Sequence, residues 1–387
     1  MTSRTIRAVG IAMLALPCVV RAQGSLGAQG FGYPAGQAGA RAAGTATALA
    51  PFDAVSPVNP ATITDWRGSV IFFHVQPEFR STKGTGFTSS TRTSRFPLAG
   101  IAERVSRRAN GETRAVVGLT FSTYLDRTWE TASSGRQQVG ADSVDLTTRY
   151  SSSGAINDIR LALGWALTPK LRVGAGIHAY TGENRLAISW DFPDSVPFGD
   201  VSQTSTLAYG GTGASFGAEW AVSRWVALAA YGRVGGEARL RVSDTLVSKA
   251  NMPDHLGLAA FYSGLKGTVI SGGWERTKWS ALAGLGTATT VPRDADKIAV
   301  GAETTGPNWH GAPVMFRLGY SHRTLPFDAL GSEVKESMVS VGTGFAIARG
   351  GGFPAGKVDL ALQRAARSAA TLSERSWFFT FGLTITP

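Results

Sequence analysis

Three arginines carry the clearest potential for chemistry in this chain: Arg160, Arg172 and Arg317. Each lies in a run where side chains alternate between two faces, on the face that a closed wall would turn inward. An enclosed guanidinium either pairs with a carboxylate, Glu219 and Glu275 being candidates, or receives an anion such as a ligand carboxylate. Both readings stand at this level. Arg160 is the first choice for a ligand headgroup and Arg317 the second, because neither abuts a tight turn. Arg172 lies close to the turn at Pro169. Hydrophobic capture needs an apolar pocket with few polar anchors. Phe261, Met338 and Phe378 are the inward candidates for one. Catalysis finds little support. His74, His178, His255, His310 and His322 are scattered, without metal-ligand spacing. No serine sits in a Gly-x-Ser-x-Gly elbow. The run Gly210-Gly211-Thr212-Gly213 has alternating residues on both sides, which reads as a closely packed strand rather than a phosphate loop. The expectation is a protein that is not an enzyme and uses no cofactor or metal.

The elements that must position these residues are strands. Residues 159–168 turn Ile159, Leu161, Leu163, Trp165 and Leu167 one way and Arg160, Ala162, Gly164 and Ala166 the other. Residues 170–180 repeat the pattern, and so does the end of the chain, where Trp377, Phe379, Phe381, Leu383 and Ile385 alternate with Phe378, Thr380, Gly382 and Thr384. One face is apolar and the other small or polar, over about ten residues, the length of a tilted strand crossing a bilayer. From Ser69 onward the pattern predicts fourteen strands, with 12 or 16 as alternatives. Short connections fall near Asn110-Gly111, Thr168-Pro169-Lys170, Val222-Ser223-Arg224 and Gly264, and longer ones at 128–155, 182–204, 241–251, 278–292, 325–335 and 367–373. Connections 305–311 and 350–355 should be short turns yet are of medium length. Bacterial barrels alternate short periplasmic turns with long outer loops. With both termini in the periplasm the strand count must be even, and fourteen is. Trp129, Trp190, Trp220, Trp225, Trp274, Trp279 and Trp377 fall near strand ends, as interfacial indoles do.

Composition agrees. Only 17% of the 387 residues are charged, 48 are glycine, and mean hydropathy is near zero. Beyond the N-terminal signal no run of about 20 apolar residues occurs, which argues against helical spans. Residues 1–22 read as a signal peptide, with Arg4 and Arg7 before the apolar stretch 8–20 and Val20-Arg21-Ala22 before the cleavage point. The single cysteine, Cys18, lies within it, so the mature chain has no thiol or disulfide. The net charge is +11; Arg4, Arg7 and Arg21 account for three, which leaves +8. The cations are scattered, so nucleic acid is excluded as a partner, whereas anionic headgroups and ligands suit the excess. Residues 23–66 are rich in Gly and Ala and lack long alternation. They read either as a flexible leader or as a compact segment within a lumen.

Four places resemble the long-chain fatty acid transporter family of outer-membrane barrels, the FadL/TodX type. They are Ser56-Pro57-Val58-Asn59-Pro60-Ala61; the strand start at 251–259; the Trp-Ser strand end at 274–280; and 316–323 followed by 339–345. The chain departs from the family in having Thr62 after Asn59-Pro60-Ala61, and Pro387 rather than an aromatic residue at its end. The resemblance implies an all-β fold: a transmembrane antiparallel barrel of 14 strands over residues 67–387, closed by a luminal hatch over 23–66 in which Asn59, Pro60 and Ala61 hold the junction. It implies passive uptake of hydrophobic small molecules such as long-chain fatty acids or hydrocarbons, sometimes through a lateral opening in the wall. Expected partners are outer-membrane lipid, lipopolysaccharide and the hydrophobic ligand, with a monomer favoured. The alternatives are a structural or secretion-partner barrel without transport, and an open porin.

Overall fold

The computed structural model describes residues 23–24, 26, 32–84, 87–139, 142–193, 199–285, 292–309, 311–350 and 353–386. Residues 1–22, expected as a signal peptide and containing Cys18, and His310 lie outside the described residues.

Fourteen strands form a closed antiparallel barrel. In chain order they are Val70–Gly84, Phe87–Arg107, Thr113–Asp126, Asp142–Ala166, Leu171–Asp191, Val201–Ala221, Val226–Val242, His255–Leu265, Thr268–Thr277, Ala295–Trp309, Ala312–Ala329, Ser332–Gly350, Phe353–Ala369 and Leu372–Ile385. The last closes on the first, with Phe381 opposite Val75 and Ile385 opposite Ile71. Each strand contains the core of one sequence candidate. The medium connections shrink because their flanking residues pair: Trp309 meets Ala312, and Gly350 meets Phe353. Two long connections are themselves partly strand. Trp129–Val139 pairs with the outer half of Asp142–Ala166, and Thr245–Asn251 with the end of Val226–Val242.

Alternation sorts the side chains as physics requires. Ile159, Leu161, Leu163, Ile177 and Phe381 stand 37–64% exposed on the outer face, while Arg160, His178, Tyr180 and Phe378 are buried on the inner one. A wall that exposes its large apolar residues and encloses its charges is the reverse of a soluble protein, and it matches a hydrocarbon environment. Trp165, Trp220, Trp225 and Trp377 are exposed near strand ends. Trp279 corrects the expectation of an interfacial indole. It is 4% exposed, because a short 3-10 turn at Trp279–Leu282 folds it back onto Tyr124, ring centroids 5.6 Å apart.

Candidate binding site in the lumen

Residues 32–66 run inside the barrel along its length. Bare backbone in the wall makes this possible. A Cβ on Gly217 would lie 2.0 Å from Asn59 Oδ1, and one on Gly174 would lie 2.4 Å from the Pro60 carbonyl carbon. A Cβ on Gly319 would lie 2.1 Å from the Thr45 carbonyl carbon. Any larger residue there would collide with the segment. Asn59 is fully buried and organises its own turn: Oδ1 accepts from the Ala61 amide at 3.0 Å, and Nδ2 donates to the Pro51 carbonyl at 3.1 Å. Pro60 then begins a 3-10 turn with its φ already set and no amide to satisfy. Thr62, the departure from the family pattern, donates to the Asn59 carbonyl at 2.8 Å.

The start of the segment lies at the opposite rim. Leu26 and Tyr33 pack with Leu325, Phe327, Val334 and Leu372, which border the long connections, whereas Ile385 ends near the short turns. Leu26 and Tyr33 thus lie at the rim with the long connections, and Ile385 at the rim with the short turns. A segment that threads the lumen from Trp66 upward must emerge at the far end.

Tyr33 enters a buried charge network. Its ring lies between the guanidiniums of Arg80, 4.2 Å away, and Arg367, 4.3 Å away, and its hydroxyl donates to Glu374 at 2.9 Å. Burial, and then the Glu374 charge, raise this phenol well above its ordinary pKa, so it stays a donor. Arg367 also meets Glu336 at 2.6 Å, Arg80 meets Glu78 at 2.9 Å, and Arg95 bridges Glu78 and Asp126. Lower in the lumen, Arg41 on the single helical turn Ala40–Ala43 pairs with Glu303 at 2.8 Å.

The sequence candidates do not converge on one site. Arg317, the second headgroup candidate, is ion-paired with Glu303 at 2.6 Å and Asp359 at 2.7 Å. Arg172 pairs with Glu219 at 2.8 Å, and Glu275 with Lys297 at 3.0 Å. Phe261 packs on Phe52 of the N-terminal segment, centroids 5.4 Å apart. Met338 and Phe378 line a separate cavity of about 50 Å³ with Gln76, Arg95 and Gln363. Arg160 differs from the other two arginines in having no carboxylate within 4 Å among the described residues. It is 2% exposed, and its Nε and Nη1 have no hydrogen-bond partner. Register puts it between Thr120 and His178, whose Oγ1 and Nε2 are also unpartnered. His178 Nδ1 is held by Asp158 at 2.8 Å. His178 and Ser215 in turn border the larger cavity, about 110 Å³, together with Tyr124, Trp279, Arg233 and His255. The two cavities share Pro34, Gly36, Thr47, Lys297 and Arg323.

Sequence reasoning missed a break in the wall. Strands Phe87–Arg107 and Thr113–Asp126 pair from Arg107 opposite Thr113 to Ala99 opposite Phe121, and no further. Beyond that point Tyr33 and Pro34 pair with Asp126 and Leu125 instead. The gap is crossed by side chains: Thr123 Oγ1 donates to the Phe96 carbonyl at 3.1 Å, and Arg95 Nε to Asp126 at 2.7 Å. Phe96-Pro97 was the available signal. Proline cannot donate to a ladder, and the pairing of the first two strands also shifts register between His74 and Gln76.

No protein-family model matches the chain, and no curated protein does. Solved structures do. A FadL homologue of Pseudomonas aeruginosa is similar with a TM-score of 0.63 at 12% identity, over 92% of this chain and 99% of that one. The Ralstonia pickettii toluene transporter TbuX gives 0.56 at 16% identity, over 92% and 98%. The Pseudomonas putida toluene transporter TodX gives 0.54 at 14% identity, over 92% and 97%. With TM-scores above 0.5 and near-complete mutual coverage, the chain has the fold of the FadL/TodX-type barrels.

Proposed function

We propose that the protein is an outer-membrane channel for passive uptake of small hydrophobic molecules, with residues 23–66 as its hatch and 67–387 as its barrel. The observation that carries this reading is the unpaired wall between Phe87–Arg107 and Thr113–Asp126, beside a lumen occupied by residues 32–66. A filled lumen suits no open porin, whereas a hydrophobic solute leaving sideways needs no continuous water path. The toluene transporters that share the fold support the same reading. Short turns face the periplasm and long connections the exterior, as in other bacterial barrels.

The larger cavity, about 110 Å³, is near the scale of one aromatic ring, for which an engineered cavity of about 150 Å³ suffices. A long acyl chain needs the hatch to shift. Thr47, at the cavity wall, and Ala46 before it hold positive φ angles of 72° and 49°. Such backbone strain, of order 1–3 kcal/mol per residue, favours a second arrangement. Deleting residues 24–55 is expected to leave a folded barrel with sharply raised conductance in planar bilayers. Unchanged conductance would remove the segment from the transport route. Uptake of labelled toluene and of a labelled fatty acid by cells with and without the gene tests the function directly. If neither enters, the structural or secretion-partner reading takes its place.

Arg160 is the proposed headgroup contact should acids be carried. Affinity of acids should then rise by roughly 0.8 kcal/mol per buried CH₂. Arg160→Ala is expected to weaken an acid by about 1.5–3 kcal/mol, the range for hydrogen bonds to a charged group, and to leave a neutral alkane of equal length nearly unaffected. Equal losses for acid and alkane, measured by fluorescence displacement, would make Arg160 structural.

A further inference from the structure

One region of the outer wall is not explained by transport. The outward positions of the last strand read Ile385, Leu383, Phe381, Phe379 and Trp377, and the first strand matches them from Ile71 to Phe79. About nine residues of tilted strand cross the hydrocarbon core, so Phe79 and Trp377 stand at its edge and the positions beyond them at headgroup level, on the rim with long connections. There the chemistry changes at once. Arg92, Phe79, Trp377 and Arg364 lie side by side across four strands. Two residues further out come Ser90, Ser81 and Arg375, and beyond them Thr88, Lys83 and Ser373. Lys83, Arg92, Arg364 and Arg375 are all exposed. Among the described residues no carboxylate lies within 4 Å of any of the four, though many other cations of the chain have such a partner. The field is about 14 Å wide, three strand spacings.

On the opposite wall most cations at similar height are neutralised, although Arg241 has no carboxylate within 4 Å among the described residues. Arg239 and Lys249 both meet Glu237, and Arg276 sits 3.6 Å from Asp296. The difference is therefore local rather than a consequence of net charge. Two of the four arginines and lysines are also held in place. The Arg92 guanidinium lies 5.3 Å from the Phe79 ring centroid, and that of Arg364 lies 5.5 Å from the ring of Trp377. Stacking leaves the in-plane N–H donors free, the geometry that takes phosphate oxygens in pairs. Serine and threonine hydroxyls between the cations add further donors.

We propose that this face is a docking surface for a phosphorylated glycolipid of the outer leaflet, its phosphates on Lys83, Arg92, Arg364 and Arg375 and its acyl chains along the aromatic belt below. The occupant must be anionic at the head and hydrocarbon beneath, because an uncompensated cation cluster borders an exposed apolar wall. The proposal rests on the outward orientation of the long-connection rim.

The test uses the whole barrel in a neutral detergent with diphosphoryl lipid A as probe, read by native mass spectrometry. Wild type is expected to retain the lipid in preference to phosphatidylglycerol, less so at high salt. K83Q/R92Q/R364Q/R375Q is expected to lose roughly tenfold or more of that retention, as removing four cations from an anionic surface implies. R239Q/K249Q/R276Q, on the opposite wall, should match wild type. Heat-modifiable gel mobility confirms that both variants are folded. Equal retention in the first variant, or equal loss in the second, would overturn the site. Orientation is read separately with Ala370→Cys, whose turn should label with an impermeant maleimide on intact cells. Labelling together with selective retention supports the proposal. Absent labelling overturns the orientation, and the proposed occupant with it, even where lipid A is retained in detergent.

Discussion

Arg367→Ala is expected to destabilise the barrel by about 3–5 kcal/mol, the cost of removing one partner from a buried ion pair. Arg367 is 2% exposed, and it neutralises Glu336 at 2.6 Å and Glu374 at 2.5 Å. Those carboxylates are each 1% exposed, so without the guanidinium they face neither water nor a full set of cations. Arg323 and Arg80 remain nearby, at 2.6 Å from Glu336 and 3.6 Å from Glu374, and set the lower end of the range. The loss also frees one face of Tyr33, so the N-terminal segment should become more sensitive to protease. Unfolding in urea, followed by heat-modifiable mobility, gives the number. Adding Glu374→Gln should recover part of it, because an amide leaves no orphan charge. A loss under about 1 kcal/mol, the level of an exposed pair, would mean that water rather than Arg367 satisfies these carboxylates.

Leu163→Arg should cost about 2–4 kcal/mol if the site lies near the bilayer midplane. Leu163 is 43% exposed on the outer face, and its cross-strand neighbours Val117 and Ala175 are apolar. No acid is at hand, so the cation must snorkel or draw water into hydrocarbon. Phe381→Arg, at 37% exposure on the closing strand, should behave alike. Gly164, one residue away, fails for another reason: a Cβ there would lie 2.7 Å from Ile63 Cγ1. Substitution at Gly164 should therefore displace residues 60–64 and raise conductance, while Leu163→Arg should impair insertion into liposomes. Equal tolerance of the two in both assays would reverse the assigned faces.

Those faces were legible because alternation needs no knowledge of partners. A residue's parity decides whether it meets lipid or lumen, and Leu163, Ile177, Arg160 and Phe378 all followed it. The turn at Asn110-Gly111 was legible for the same local reason, with Gly111 at a φ of 84°. Partners were not legible. Shifting one strand by two residues keeps every face but moves each neighbour about 7 Å. Arg172 found Glu219, one of the two acids that stood out in the sequence, yet Arg317 found Glu303 and Asp359, which had not.

The sequence by itself determined the character of the wall: alternating segments, their inward and outward sides, and the apolar belt, because each is a property of one strand; closure settled the count at fourteen, where the sequence had left 12 or 16 open. Tertiary structure decided what the lumen contains. Residues 23–66 lack periodicity, and glycine sockets on separate strands, Gly164, Gly174, Gly217 and Gly319 among them, define where the turns of residues 45–64 fit. It also decided that Arg317 lies in ion-pair reach of two carboxylates, whereas Arg160 has no carboxylate within 4 Å among the described residues. Which carboxylate an enclosed arginine meets depends on register and closure across strands far apart in the chain, and those are set by the whole barrel at once.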